Sequence, residues 1–333
     1  MAAPQRARKK KASPKKKSRK SPGTFSHLKR GITGLILLVF LVLVLGLLVN
    51  QALKKNKHGQ EVGPIAAIPE VQRHPVYPPA EIKPPAFEIY AKIEPPVREV
   101  LTKPHLPRPG KLPQIAIIID DIGYDQQIAK KFADLNTAIT LSILPHSPYQ
   151  RQIIKMAREK GLDLMLHLPM EPLDYPAVNP GLGALMTTML PDALIRQLND
   201  DLDSVPYIKG VNNHMGSKMT ASSDQMNQIL SSIKKRDLFF IDSRTTAESQ
   251  ARSSARLFQV PYAERDVFLD NVQDPEAIRK QLRLLLQKAS TNGQAVAIGH
   301  PHALTYQILQ EELPEIQKKV TIVPASALVH PAG

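Results

Sequence analysis

The sequence predicts an α/β fold, a distorted or incomplete (β/α) barrel over residues 113–333, behind one transmembrane helix and a Pro-rich spacer. Three observations predict it. From residue 114 onward, short apolar runs alternate with amphipathic stretches. The runs are continuously hydrophobic, as strands of a parallel sheet covered by helices are. About seven such units fit into roughly 220 residues, which suits a barrel better than an open sheet.

The chain opens with a basic tail. Residues 1–30 hold twelve Lys or Arg and no acid, and the rest of the chain carries 32 basic against 30 acidic residues. The net charge of +14 therefore belongs to the tail, and no specific nucleic-acid partner follows from it. Residues 31–50 contain GITGLILLVFLVLVLGLLV, a run without a charge. As a helix it would span roughly 28 Å, close to the hydrocarbon thickness of a bilayer. A single-pass anchor is expected, and an uncleaved one, because the NQA that follows is a poor small-x-small cleavage site. The tail outweighs Lys54, Lys55 and Lys57 on the other flank, so the amino terminus is expected in the cytoplasm. The globular domain would then lie on the periplasmic or extracytoplasmic side of a bacterial inner membrane.

Residues 51–112 contain twelve prolines, several in pairs, and read as a semi-rigid spacer. Within it FEIYAKI, at 87–93, alternates like a short strand. The chain has no cysteine, which removes thiolate metal sites and cysteine nucleophiles and leaves His, Asp and Glu as metal ligands.

In the domain the expected strands are IAIII (115–119), ITLSIL (139–144), LDLMLHL (162–168), IKGVNNH (208–214), LFFID (238–242), VPYAE (260–264), AVAIGH (295–300) and VTIVP (320–324). Helices are expected after Ser147-Pro148, Pro191-Asp192, Ser223-Asp224 and Asp274-Pro275, each a start signal before an amphipathic run.

Several polar residues then fall at the carboxyl ends of strands: Asp120 and Asp121 after the first, His167 in the third, and His214, Asp242 and His300 after later ones. In parallel α/β folds those ends share one face, where active sites assemble. Singly each has an ordinary reading. An aspartate after a strand caps the next helix, His167 can be a satisfied core histidine, and His214 a polar loop residue. Together, one carboxylate and two imidazoles with room for water match a catalytic zinc arrangement. Arg265, Asp266 and Asp270 are further candidates for the same rim. The absence of Trp removes one obvious sugar-stacking platform.

The motifs IAIIIDDIGY, LHLPMEP, NNHMGSKMT, FFIDSRT and IGHPH, in this order, resemble those of the divergent polysaccharide deacetylases, a branch of the NodB-homology deacetylases. The resemblance covers residues 112–333. It implies a distorted (β/α) barrel that uses a divalent metal, Zn²⁺ first among candidates, to remove acetyl groups from an N-acetylated glycan or peptidoglycan-like substrate. Carried over by motif, Asp120 is the candidate base, Asp121 a metal ligand, and His300 the candidate acid. His167 begins a second motif whose second histidine is replaced by Glu171, so His214 is expected to complete the ligand set with Glu171 in reserve. The Arg-x-Pro motif of the main family has no clear match; Arg244 or Arg265 is the available substitute. Asp242, Arg244 and His302 are candidate substrate contacts. The competing reading keeps the fold but not the activity, as an envelope carbohydrate-binding or scaffolding module.

Overall fold

A computed structural model describes residues 111–135 and 137–332, together with Gly46. The expected anchor at 31–50, apart from Gly46, the basic tail and the strand-like 87–93 lie outside the described residues. No helix among the described residues is long and apolar enough to cross a membrane.

The strands are β1 (Gln114–Ile122), β2 (Thr140–Ile143), β3 (Leu164–Met170), β4 (Gly210–Met215), β5 (Phe239–Asp242), β6 (Pro261–Glu264), β7 (Val267–Phe268), β8 (Gln294–Gly299), β9 (Thr321–Ile322) and β10 (His330–Pro331). They form one sheet in the order β10-β6-β5-β4-β3-β2-β1-β8-β7, with β9 also on β1. All pairings are parallel except β10 on β6. Only Arg265 and Asp266 separate β6, which pairs with β5, from β7, which pairs with β8. The sheet therefore curls until its two sides are a dipeptide apart, without a β6–β7 ladder to close it. This is a curled, incomplete barrel.

Helices α1 (Gln126–Ala133), α2 (Gln150–Glu159), α3 (Pro191–Ser204), α4 (Ser223–Lys235), α5 (Ala251–Phe258), α6 (Pro275–Asn292) and α7 (Ala303–Ile316) connect the strands. Their apolar stripes, such as Ile128, Ala129 and Phe132 on α1, cover one face of the sheet.

Side-chain parity along each strand separates two layers of core. Ile115, Ile117 and Ile119 of β1 pack with Leu164, Leu166 and Leu168 of β3 in the cluster shared with the helices. Ala116 and Ile118 face the other way and pack with Met165, Phe239, Ile241, Val296 and Ile298 inside the curl. Ala325 and Leu328, from the segment after β9, join that inner cluster. Each Ile or Leu fully buried this way contributes about 1.5–3 kcal/mol relative to exposure. Gly210 has a packing reason: a Cβ there would stand 2.3 Å from the Phe239 ring that fills the interior beside it.

Expectation and structure differ in informative places. β1 runs on to Ile122, so the two aspartates lie within the strand rather than after it. The 320–324 run shortens to two strand residues, and the short β7 and β10 carry no run of their own. Helices α1, α5 and α7 also lacked a start signal among those singled out from the sequence.

Candidate metal centre

The inward parity that packs the barrel floor continues upward and turns polar at one level. Two residues beyond inward-facing Ile118, Met165, Ile241 and Ile298 come Asp120, His167, Ser243 and His300. Ser142 and Asn212 join this layer from β2 and β4 through hydrogen bonds to each other and to its members. Asp120, His167, Asn212 and His300 are all buried.

Adjacent strand residues ordinarily point to opposite faces, yet Asp120 and Asp121 both serve this interior. A bulge explains it. Ile119 pairs with Leu141 and Ile122 with Ile143, so Asp120 and Asp121 together oppose the single Ser142. Asp121 takes a left-handed backbone, φ 52°, which swings its carboxylate back toward the neighbours of Asp120. Asp125 is the residue that caps α1, accepting from the backbone N–H of Gln127 and Ile128 at 2.8 and 3.1 Å. The capping role open to Asp121 is thus filled elsewhere.

Three ligand-type atoms converge. Asp121 Oδ1 lies 3.1 Å from His167 Nε2 and 3.0 Å from His214 Nδ1, and the two ring nitrogens are 3.1 Å apart. Such spacing is close to the roughly 3.3 Å edge of a tetrahedron around Zn²⁺ with bonds of about 2.0 Å. Both oxygens of Asp121 are buried without a hydrogen-bond partner. A carboxylate left that way is costly unless a cation takes up its charge, so the donor set fits a divalent metal. Burial pushes the Asp121 carboxyl up, but His214 and His167 beside it outweigh burial and hold it well below the usual range.

The layer beneath orients the ligands. Asn212 donates Nδ2 to both Asp120 oxygens, at 2.8 and 2.9 Å. Its Oδ1 therefore faces Ser142 Oγ at 2.5 Å and His167 Nδ1 at 3.0 Å. A carboxylate only accepts, so the amide cannot be flipped; His167 therefore carries a proton on Nδ1, and in the neutral ring Nε2 is the nitrogen left to bind a metal beside Asp121 and His214. One amide thus sets the position of Asp120 and the tautomer of His167. Burial raises the Asp120 carboxyl above its usual range, against opposing pulls from His167 and His300.

His300 approaches from the other side of β1, its Nε2 3.9 Å from Asp121 Oδ2. Its Nδ1 is 2.9 Å from Asp270 Oδ1, while Asp270 Oδ2 accepts from His300 N and Thr305 Oγ1, each at 2.7 Å. Burial works to lower the imidazole pKa, but Asp270 overrides it and raises it to about 9.

The remaining candidates are placed as follows. His302 stands beside His300, ring centroids 6.0 Å apart. Glu171 is turned to Thr187, accepting from its N and Oγ1 at 2.5 and 2.6 Å, and to Lys218 Nζ at 2.6 Å; it fastens the loop after β3. Asp242 is fully buried and accepts from Arg244 N, Ser249 Oγ and Tyr262 OH at 2.8, 2.7 and 3.3 Å. Arg244 Nη1 is 3.8 Å from Glu264 Oε1. Arg265 donates Nε to Ser243 O at 2.7 Å, and Asp266 accepts from Val296 N at 2.8 Å, which commits Asp266 to the β8 backbone. Sequence reasoning overlooked Ser142, Asn212 and Ser243, although each was open to discovery by counting in twos from an inward-facing residue.

The same domain is similar to known proteins. A sequence model described as "Divergent polysaccharide deacetylase" matches residues 117–329. The chain is 35% identical over 217 residues to the uncharacterized protein YibQ of Escherichia coli K12, covering 65% of this chain and 67% of that one. It is 31% identical over 210 residues to an uncharacterized protein of Haemophilus influenzae, covering 63% and 74% respectively. Its fold is similar to the crystal structure of an uncharacterized protein from Agrobacterium tumefaciens C58, with a TM-score of 0.64, 26% identity, and coverage of 67% of this chain and 91% of that one. The chain belongs to the divergent polysaccharide deacetylase family.

Proposed function

We propose that the chain is a membrane-anchored, metal-dependent hydrolase that removes N-acetyl groups from an envelope carbohydrate. The observation that carries this reading is the meeting of Asp121, His167 and His214 within 3.1 Å of one another, flanked by Asp120 and His300. A divalent ion held by those three residues, Zn²⁺ first among candidates, would supply Lewis-acid polarisation of the acetyl carbonyl and a more acidic water.

The protein's own groups divide the proton work. Asp120, gripped through both oxygens by Asn212, accepts the proton of the attacking water; its burial makes it a stronger base than an exposed carboxylate. His300, oriented and kept protonated by Asp270, delivers a proton from Nε2 to the departing amine. One rim thus pairs a buried base with a buried acid, as amide hydrolysis requires. Residues 31–50 would anchor the domain on the outer face of the inner membrane, with residues 51–112 as the spacer toward its substrate.

The test measures metal content and acetate release from N-acetylglucosamine oligomers and acetylated peptidoglycan fragments by the full-length chain. Release that disappears in Asp120→Asn and His300→Ala, with metal retained in Asp120→Asn, supports the hydrolase. Stoichiometric metal without release from either substrate class would instead identify a carbohydrate-binding module on a deacetylase fold.

A further inference from the structure

The geometry points to a second divalent-cation site, formed by His146, Asp200 and Asp201 and sharing no residue with the rim centre. His146 lies in the segment between β2 and α2, and the two aspartates near the carboxyl end of α3. His146 Nε2 is 3.0 Å from Asp201 Oδ1 and 3.5 Å from Asp200 Oδ2. These distances bracket the roughly 3.3 Å ligand separation of a tetrahedral ion with bonds of about 2.0 Å. One imidazole and two carboxylates suit Zn²⁺ or Mn²⁺.

Proximity of acids alone would carry little; two further facts do. Asp201 is 0% exposed, and its Oδ2 has no hydrogen-bond partner, whereas Oδ1 is shared by His146 and by Gln197 Nε2 at 3.0 Å. A carboxylate buried with one oxygen unpaired is costly to ionise, and a cation on the group that already meets the imidazole would offset that cost. The second fact is its place on the helix. The last turn of α3 holds Asp201 and Asp203 and no basic residue, with Asp200 just before, although the carboxyl end of a helix favours cations. Asp203 is offset by Arg236 at 2.5 Å, while among the described residues Asp200 and Asp201 form ion pairs only with His146. A doubly charged ion would offset both.

The site has access and a structural consequence. His146 and Asp200 line a cavity of about 860 Å³ through which an ion can enter. Gly183, in the loop between β3 and α3, packs so closely that a Cβ there would lie 2.3 Å from Asp201 Oδ1. An ion held by His146, Asp200 and Asp201 would tie the segment after β2 to the end of α3.

The experiment loads chelator-stripped full-length chain with Zn²⁺ or, separately, Mn²⁺, and counts ions per chain by mass spectrometry after desalting, alongside the thermal midpoint. Two zinc ions are expected in the wild type, one in His146→Ala, one in Asp121→Asn and none in the double variant. Should His146→Ala misfold, Asp200→Asn changes a side chain that is 70% exposed and should weaken the second ion at least tenfold with the fold intact. Equal stoichiometry and equal metal-dependent midpoint shift in wild type, His146→Ala and Asp200→Asn would overturn the site. Failure of the rim centre alone would look different: one ion in the wild type, lost in His146→Ala and kept in Asp121→Asn.

Discussion

Asp121 and Asp242 stand at comparable places, each near the carboxyl end of a parallel strand and each buried. Their surroundings are opposite. Asp242 is saturated by its own loop and the next strand, through Arg244 N, Ser249 Oγ and Tyr262 OH. Neither oxygen of Asp121 has a hydrogen-bond donor, and two ring nitrogens point at it from β3 and β4. The strand-end position locates a carboxylate at the active face. Whether it fastens the fold or holds an ion depends on who supplies its hydrogen bonds.

Exchanging the two aspartates for uncharged residues sharpens the contrast. Asp121→Asn, which tolerates the left-handed backbone there, should lose the rim ion and lower acetate release about a thousandfold. Its chelated form should lose little stability against chelated wild type, since what is removed is the attraction of His167 and His214 for a carboxylate that is itself costly to bury. A chelated Asp121→Asn protein that melts well below wild type would show that the carboxylate is structural after all.

Asn212→Ala tests the layer that links the base to the ligand. Asp120 loses both amide contacts and His167 its tautomer lock, so metal affinity and turnover should each fall about ten- to a hundredfold. Unchanged affinity with reduced turnover would assign Asn212 to Asp120 alone.

Asp242→Ala should do the reverse of Asp121→Asn. It strands buried donors and should cost about 1–3 kcal/mol in denaturant unfolding, with ion stoichiometry unchanged. Loss of the rim ion with little change in stability would erase the distinction between the two aspartates.

The smallest effect concerns pH. The folded-state pKa of His300 is raised to about 9, so its pairing with Asp270 contributes stability that is complete below the ordinary value of about 6.5 and fades as pH rises through about 9. In metal-free protein, thermal midpoints between pH 6.5 and 10 should fall more for wild type than for His300→Gln. Parallel curves would mean the imidazole is neutral across that range.

Much of this architecture is legible in the chain. Apolar runs such as 115–119 and 295–300 can be buried only as central parallel strands, and the helices between them announce themselves through Pro191, Asp274 and their amphipathic periods. The ligand types are legible as well, because without cysteine a metal must be held by imidazole and carboxylate, and His167 and His214 fall at the ends of expected strands in the chain. Asn212 and Ser142 were not legible as partners, since 70 residues separate two side chains that touch at 2.5 Å.

By itself, then, the order of residues determined most of the segments that become strands and which side chains could carry chemistry, because apolar runs and polarity are local properties. Tertiary structure alone decided the rest. The bulge that turns Asp121 beside Asp120, the closure of Asp242 by its own loop, and the turning of Glu171 toward Lys218 all depend on partners far apart along the chain. A carboxylate's role is set by the donors and cations that folding brings to it, and those are properties of the space around it rather than of its neighbours in sequence.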